Sequence, residues 1–301
     1  MGRRRKGRDI HGILLLDKPA GFSSNQALQK VRWLFQARKA GHTGTLDPFA
    51  TGMLPICLGE ASKTAAFMLD SEKTYEARAR TGIATETGDI EGEVVREEDI
   101  PELDAKKIEK AMAAFRGTIE QVPPMYSALK HKGQPLYKLA REGKTVERAP
   151  RTVTIHELEC LAWEAPDLVF RARCSKGTYI RTLAEDLAKT LGSCAHLRAL
   201  RRTEVSPFSK TGMVTLEDLE ARVEAGDPES LLLPVDAGLE AWPVVELDEA
   251  SATRFIHGNP VEVDEEDGPA RVYGPTGLLL GLGEITEKSL LKPKRVMNLS
   301  K

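Results

Sequence analysis

Hydrophobic and polar positions alternate along this chain in ways that predict several elements. The run Ile13-Leu14-Leu15-Leu16, closed by the turn Pro19-Ala20-Gly21, predicts a buried strand over residues 11–18. Ser24 then reads as the cap of a helix from about Asn25 to Arg38, with Ala27, Leu28, Val31, Leu34 and Phe35 on one stripe. Residues 41–52, GHTGTLDPFATG, hold three glycines and a proline but no period, which predicts a loop. Tyr75, Ala77 and Ala79 alternate with Glu76, Arg78 and Arg80, as in a half-buried strand. The acidic, Gly-punctuated stretch 82–102 reads as a solvated loop or excursion.

Asp104 opens a helix carrying Ile108, Ala111, Met112 and Phe115 on one face, stopped by Gly117. Basic residues broken by Pro and Gly over 121–150 read as an inserted arm. Strands near 152–161 and 168–174 lead to a helix striped by Ile180, Leu183, Ala184, Leu187 and Leu191. An acidic helix and linker follow at 217–240, and from Pro243 short apolar runs between Gly and Pro predict a small β-domain.

A chain of 301 residues can bury a core without covalent staples, and with aromatics at only 5% that core should be aliphatic. No apolar run approaches the ~20 residues that span a bilayer, so no membrane association is expected. The basic start MGRRRKGRDIHG lacks the apolar stretch of a signal peptide. Cys57, Cys160, Cys174 and Cys194 form no C-x-x-C pair, which argues against a disulfide scaffold or structural zinc and for a cytoplasmic protein. Charge is unevenly divided. Residues 1–216 carry 35 Lys and Arg against 27 Asp and Glu, whereas 217–301 carry 8 against 18. The first part could hold a polyanion; the tail could not by bulk charge.

Within the 41–52 loop, Asp47 precedes Pro48, and glycines at 41, 44 and 52 permit close approach of a ligand or another backbone. Asp47 is either a carboxylate held for nucleophilic or base chemistry or an ordinary Asp-Pro turn. His42 is open in the same way. Tyr179 and Arg181 sit at a strand-to-helix junction where Thr178 could cap the helix. Arg181 could face a cleft, or form an i,i+4 pair with Glu185 worth about 0.3–0.5 kcal/mol. Tyr75 reads as a core aromatic whose hydroxyl needs a partner. Lys130, Lys132, Lys138, Arg141, Lys144, Arg148 and Arg151, interleaved with Tyr126 and Tyr137, could track phosphates and stack bases, or belong to a solvated helical hairpin. Arg198, Arg201 and Arg202 around Leu200 read as a second basic patch. Together these describe an RNA binder with a polar cleft.

The motifs GILLLDKPAGFSSN, AGHTGTLDPFATGMLPICLGEASK, QVPPMYSALK and CSKGTYIRTLAEDLA resemble the bacterial tRNA pseudouridine synthase B (TruB) family, densely from about Ile10 to Pro207. The resemblance implies an α+β fold: a mixed, largely antiparallel sheet flanked by helices, with a catalytic domain over 10–240 and an RNA-clamping insertion at about 121–151. A small β-rich, PUA-like domain would occupy 243–301. It implies isomerisation of uridine 55 in the tRNA T-loop to pseudouridine, without cofactor or metal. Asp47 would be the catalytic aspartate. His42 would contact the RNA loop, Tyr75 would stack on the target uracil, and Tyr179 and Leu200 would wall the pocket. Arg181 would pair with the aspartate, and Lys18-Pro19 would support its loop.

The implied partner is the tRNA T-stem-loop, met by a monomer without a guide RNA. An RNA-folding role and the guide-dependent archaeal and eukaryotic form are the competing readings. The GHTG sequence offers one histidine where the H-x-G-H of nucleotidyltransferases needs two. Such chemistry requires the base to leave its stack, at a cost of a few kcal/mol. Stacking on Tyr75 could return about 1–3 kcal/mol of that.

Overall fold

The computed structural model describes residues 7–208, 212–287 and 289–299. Residues 1–6 of the basic leader lie outside the described residues. The expected α+β architecture is present. Its centre is an eight-stranded sheet built from β1 (Gly12–Lys18), β2 (Ala40–His42), β3 (Thr51–Leu58), β4 (Lys73–Thr81) and four later strands. β5 (Ile83–Thr85) pairs with β6 (Val94–Glu97) outside this sheet. The chain returns to it as β7 (Gly117–Gln121), and a short hairpin of β8 (Lys130–His131) and β9 (Gln134–Pro135) follows. β10 (Arg151–Glu164), β11 (Asp167–Cys174) and β12 (Ala195–Val205) complete it in the order β1-β3-β12-β4-β11-β10-β7, with β2 on β3. Only β12 and β3 run parallel, meeting where Arg201 faces Thr51 and Arg202 faces Gly52.

Period-two alternation sorts the sheet's faces. Tyr75, Ala77 and Ala79 pack with Leu168, Phe170 and Ala172 under helices α3 (Ala105–Ala113) and α5 (Ile180–Thr190). On the opposite face Arg171 pairs with Glu76, Arg173 with Glu72 and Glu157, and Arg201 with Asp17. These charges satisfy one another. Over β1 and β3 lie α1 (Ser24–Leu34) and α6 (Leu216–Glu224), which bury Leu14, Leu16, Leu54 and Ile56. Short α2 (Ala65–Leu69) follows β3, and short α4 (Leu136–Arg141) lies within the arm.

The last strands, β13 (Val244–Glu246), β14 (Val261–Glu262), β15 (Gly268–Tyr273), β16 (Leu279–Thr286) and β17 (Leu290–Val296), form a second sheet packed on α7 (Glu249–Ile256). Leu279, Leu282 and Met297 of this part share a buried cluster with Met53, Cys57 and Val205 of the large sheet. No helix among the described residues is long and apolar enough to cross a membrane.

Four expectations need correction. The first helix is capped by Ser23, not Ser24: the Ser23 hydroxyl accepts from Gln26 N–H, and Gln26 Oε1 accepts from Ser23 N–H. It also stops at Leu34, because Gln36 takes a left-handed φ of 52°. Residues 82–102 are not simply a solvated loop, since they hold β5, β6 and buried Asp89. Thr178 does not cap α5; its hydroxyl donates to Ser175 O, and Gln121 from β7 holds the Tyr179 backbone from both sides.

The supposed patch of Arg198, Arg201 and Arg202 comes apart. Arg198 and Arg201 pair with Asp167 and Asp17, while Arg202 is wholly buried.

Candidate active site

The loop 43–50 joins β2 to β3, and buried groups from separate elements fix its course. Leu46 and Phe49 enter the hydrophobic core on either side of Asp47. Buried Ser24 clasps Leu46: its Oγ accepts from Leu46 N–H at 2.7 Å and donates to Leu46 O at 3.0 Å. Lys18, fully buried, donates to the carbonyls of Pro19, Phe22 and Pro48. Burial pulls its pKa down to about 8, opposed by Asp47. From the other side, Arg202 donates to Met53 O and Gly44 O.

Held between two buried apolar neighbours, the Asp47 carboxylate is left one-third exposed. Arg181, in the first turn of α5, meets it in a fork: Nε lies 3.0 Å from Oδ2, and Nη2 donates to Oδ1 at 3.2 Å. The same guanidinium, 5% exposed, donates to Thr87 O at 2.6 Å and Tyr126 O at 2.7 Å, and stands 3.5 Å from Asp89. One side chain thus joins the aspartate loop, the 86–93 loop and the inserted arm. No i,i+4 pair with Glu185 forms among the described residues. Burial instead pushes the Glu185 carboxyl up to about 7, with Arg181 opposing.

Burial raises the pKa of Asp47, Arg181 lowers it, and Asp89 raises it again; the direction is upward. The fork is what opposes protonation of a poorly hydrated acid. Burial also raises the phenols of Tyr75 and Tyr179. It lowers His42, helped by Arg202, which leaves a neutral imidazole at pH 7.

Two cavities meet at this pair. The smaller, about 370 Å³, is lined by Tyr75, Tyr179 and Leu200 as well as Asp47 and Arg181. Aromatic and apolar walls with one charged pair suit a flat, polar-edged ring. The larger, about 920 Å³, adds His42, Tyr126, Tyr137 and Arg141, faced by Glu86, Asp89, Glu91 and Glu93. All six expected site residues therefore border one of two adjoining spaces, and Asp47 and Arg181 border both. From the basic arm only Arg141 lines this cleft, with its guanidinium 5.7 Å from the Tyr137 ring. Lys130, Lys132, Lys138, Lys144 and Arg151 are exposed along the arm, and Arg148 donates to Pro123 O. Lys292, Lys294 and Arg295 are exposed on β17. Among the described residues, no three His, Cys, Asp or Glu side chains gather as a metal would require.

Asp89, Gln121 and the clasp role of Ser24 escaped the sequence reading. Asp89 hides in an acidic run, although Gly88 before it and its turn contact to Glu91 N–H carry an Asx-turn signature. Gln121 and Ser24 offer no local signal, because their partners lie 58 and 22 residues away.

Comparison with known proteins identifies the family. The profile described as "TruB family pseudouridylate synthase (N terminal domain)" matches residues 32–180. "tRNA pseudouridylate synthase B C-terminal domain" matches 181–240, and "Pseudouridine synthase II TruB, C-terminal" matches 243–297. A tRNA pseudouridine synthase B from Pseudomonas aeruginosa is 53% identical over 299 residues, spanning 98% of each chain. One from Chromohalobacter salexigens is 50% identical over 302 residues, spanning 99% of this chain and 98% of its own. Among solved structures, a chain of a Cbf5-Nop10-Gar1 complex superposes with a TM-score of 0.73 at 26% identity, over 95% of this chain and 84% of that one. A chain of an H/ACA RNP bound to a substrate RNA containing 2'-deoxyuridine gives 0.72 at 23% over 98% and 91%, a likeness of fold. With full-length relatives at this identity and family profiles running from residue 32 to 297, the chain belongs to the TruB family of pseudouridylate synthases, and its second sheet is that family's PUA-like C-terminal domain.

Proposed function

We propose that this chain isomerises uridine 55 in the T-loop of tRNA to pseudouridine, acting as a monomer without a guide RNA. The observation that carries the reading is the Asp47–Arg181 fork in the wall of a ring-sized cavity lined by Tyr75, Tyr179 and Leu200. The full-length relatives, tRNA pseudouridine synthases B by name, support tRNA as the substrate. The catalytic unit is residues 10–240 with a clamp at 121–151, followed by the domain at 243–301, in a cytoplasmic protein.

The reaction breaks N1–C1′, turns the uracil and forms C5–C1′; C5 loses a proton and N1 gains one, so the change is redox-neutral. Neither rotation nor attack is possible within a base stack, so the nucleotide is flipped out. Tyr75 stacks on the uracil, Tyr179 and Leu200 confine it, and the walls keep the detached ring from water. Asp47 acts as the ionised group at the reacting centre, and Arg181 favours that charge by pairing. His42, neutral, contacts the RNA loop in the larger space. The arm's basic residues clamp the backbone of the T-stem-loop.

The test uses an unmodified tRNA transcript and the purified chain alone. The wild type should convert the T-loop uridine, read as a carbodiimide-dependent primer-extension stop, and Asp47→Asn should bind without converting. A stop generated by the Asn variant would overturn the role of Asp47.

A further inference from the structure

A nucleotide whose base fills the smaller cavity and whose flanking RNA lies in the larger must pass its sugar across the wall the two share. That inference rests on the base-flipping reading above. Six residues border both spaces: Thr45, Leu46, Asp47, Ser127, Ala128 and Arg181. Leu46 and Ala128 offer no polar side chain, and Asp47 and Arg181 are engaged with each other. Thr45 is exposed and can be hydrated at no loss.

Ser127 differs from all of these. It is 6% exposed, its Oγ is screened from water, and that oxygen makes no hydrogen bond of good geometry, although the Tyr179 phenol stands beside it. Its backbone is fixed: Ser127 N–H donates to Met125 O, and Ser127 O accepts from Tyr137 N–H at 3.0 Å. The neighbouring Tyr126 carbonyl receives the Arg181 guanidinium, which ties this turn to the aspartate pair. A dry hydroxyl left unpaired in a rigid turn is unfavourable unless something else completes it. In the free chain the Tyr179 phenol is the competing partner, and a polar group that seats against this wall would complete the hydroxyl in its place.

An internal RNA nucleotide has its 3′ and 5′ oxygens in phosphodiesters, so its sugar has one free hydroxyl. The geometry points to Ser127 Oγ as the hydrogen-bond partner of the target nucleotide's ribose 2′-hydroxyl, making Ser127 a residue that distinguishes an RNA target from DNA. A 2′-hydroxyl both donates and accepts, which suits a serine whose rotor is uncommitted. Seating the ribose here would also hold C1′ beside Asp47, on the same wall.

The experiment uses the full-length chain and two T-stem-loop RNAs, identical except for uridine or 2′-deoxyuridine at the target. Binding is measured for wild type and Ser127→Ala, with conversion of the ribo RNA followed in parallel. Wild type should bind the deoxy RNA about tenfold more weakly. Ser127→Ala should lose the same factor on the ribo RNA and nothing further on the deoxy RNA. Its melting temperature should match wild type, because no native hydrogen bond is removed.

Equal losses for Ser127→Ala on both RNAs, or equal wild-type affinity for the two, would overturn the assignment. So would a clearly lowered melting temperature, by showing that the hydroxyl is already paired. The wild-type comparison needs no variant to fold. If wild type fails to convert the ribo RNA, the proposed reaction itself fails, and that outcome is separate from those above.

Discussion

Replacing Arg181 with lysine keeps one positive charge and removes the fork. The guanidinium serves Asp47 twice and also donates to Thr87 O and Tyr126 O. An ammonium that reaches Asp47 is a point charge on a shorter reach and leaves both carbonyls without that donor. Hydrogen bonds from a charged donor contribute about 1.5–3 kcal/mol each. With two lost, and part recovered by water entering from the cleft, the net deficit is about 2–3 kcal/mol. Expressed in the transition state, that slows turnover about 30- to 150-fold. Expressed in the ground state, it lowers the melting temperature of a 301-residue chain by about 3–5 °C.

The pH dependence supplies a second readout. Asp47 already sits above the usual carboxylate range, with Arg181 holding it down. A less well-aimed cation holds it down less, so the Asp47 pKa rises further and the acid limb of the rate profile moves to higher pH. The deficit of Arg181→Lys should therefore be larger at pH 6 than at pH 8. The reaction exchanges C5–H for C5–C1′, so single-turnover release of tritium from 5-tritiated uridine in the T-loop measures the rate. A lysine variant with wild-type rates and an unmoved acid limb would refute the idea that the fork maintains the charge of Asp47.

Ser24→Ala strands the N–H and C=O of Leu46 in the core; it should cost about 1–3 kcal/mol in denaturant unfolding and lower kcat more than it raises KM, since it loosens the loop carrying Asp47. Gly52 has φ 101°, and a Cβ there would fall 2.2 Å from the Arg202 carbonyl where β3 and β12 meet in parallel. Gly52→Ala should therefore lose about 3 kcal/mol or more, seen as poor soluble yield and a strongly lowered melting temperature; a wild-type melting curve would contradict the stated packing. Glu185 has its pKa raised from 4.5 to about 7 by burial, so the folded state holds a proton that the unfolded state releases. Its stabilising contribution is full below about pH 4.5 and is lost as pH rises through about 7, by about 2–3 kcal/mol in all. Urea titrations of wild type and Glu185→Gln from pH 4.5 to 8 should show that loss in the wild type alone, and parallel curves would count against it.

What the sequence made legible follows from the range of each interaction. The strand at Tyr75 and the stripe of α5 declare themselves through periods set by neighbours two to four residues away. Ser23 was also readable: Gln26 lies three residues after it, as a capping box requires, whereas the residue three after Ser24 is Ala27. Arg202 follows the same logic, because Leu200 and Arg202 lie two apart on β12 and so share a face, while Arg201 faces its partner Asp17 across the other. Charge alone groups three arginines that the pleat, together with the irregularity at Arg198, separates. Asp89 was beyond such reasoning. Among Glu86, Glu91 and Glu93 the Gly88-Asp89 turn marks a loop but not the carboxylate that the fold carries under Arg181, and a contact across 92 residues reveals it. The catalytic assignment of Asp47 likewise came from motif resemblance, since residue types alone describe an Asp-Pro turn equally well.

The long-range contacts also explain how a partly buried carboxylate can keep its charge. A lone carboxylate there would protonate, and a single ion pair would repay its desolvation only with its remaining valences filled. Here the acids Asp47 and Asp89 are offset by Arg181 and by Lys18, which with a pKa of about 8 still carries its proton at neutral pH. The ammonium spends its donors on the carbonyls of Pro19, Phe22 and Pro48, so it supplies charge to Asp47 without competing for its oxygens. Arg181 likewise fills its remaining N–H groups on Thr87 and Tyr126. The cluster is close to electroneutral, its cations are hydrogen-bonded, and the oxygens of Asp47 stay directed at the space where a ring can enter. As pH rises through 8, Lys18 deprotonates and two carboxylates face one guanidinium; the same residue that holds the loop's shape also sets the alkaline edge of its charge balance.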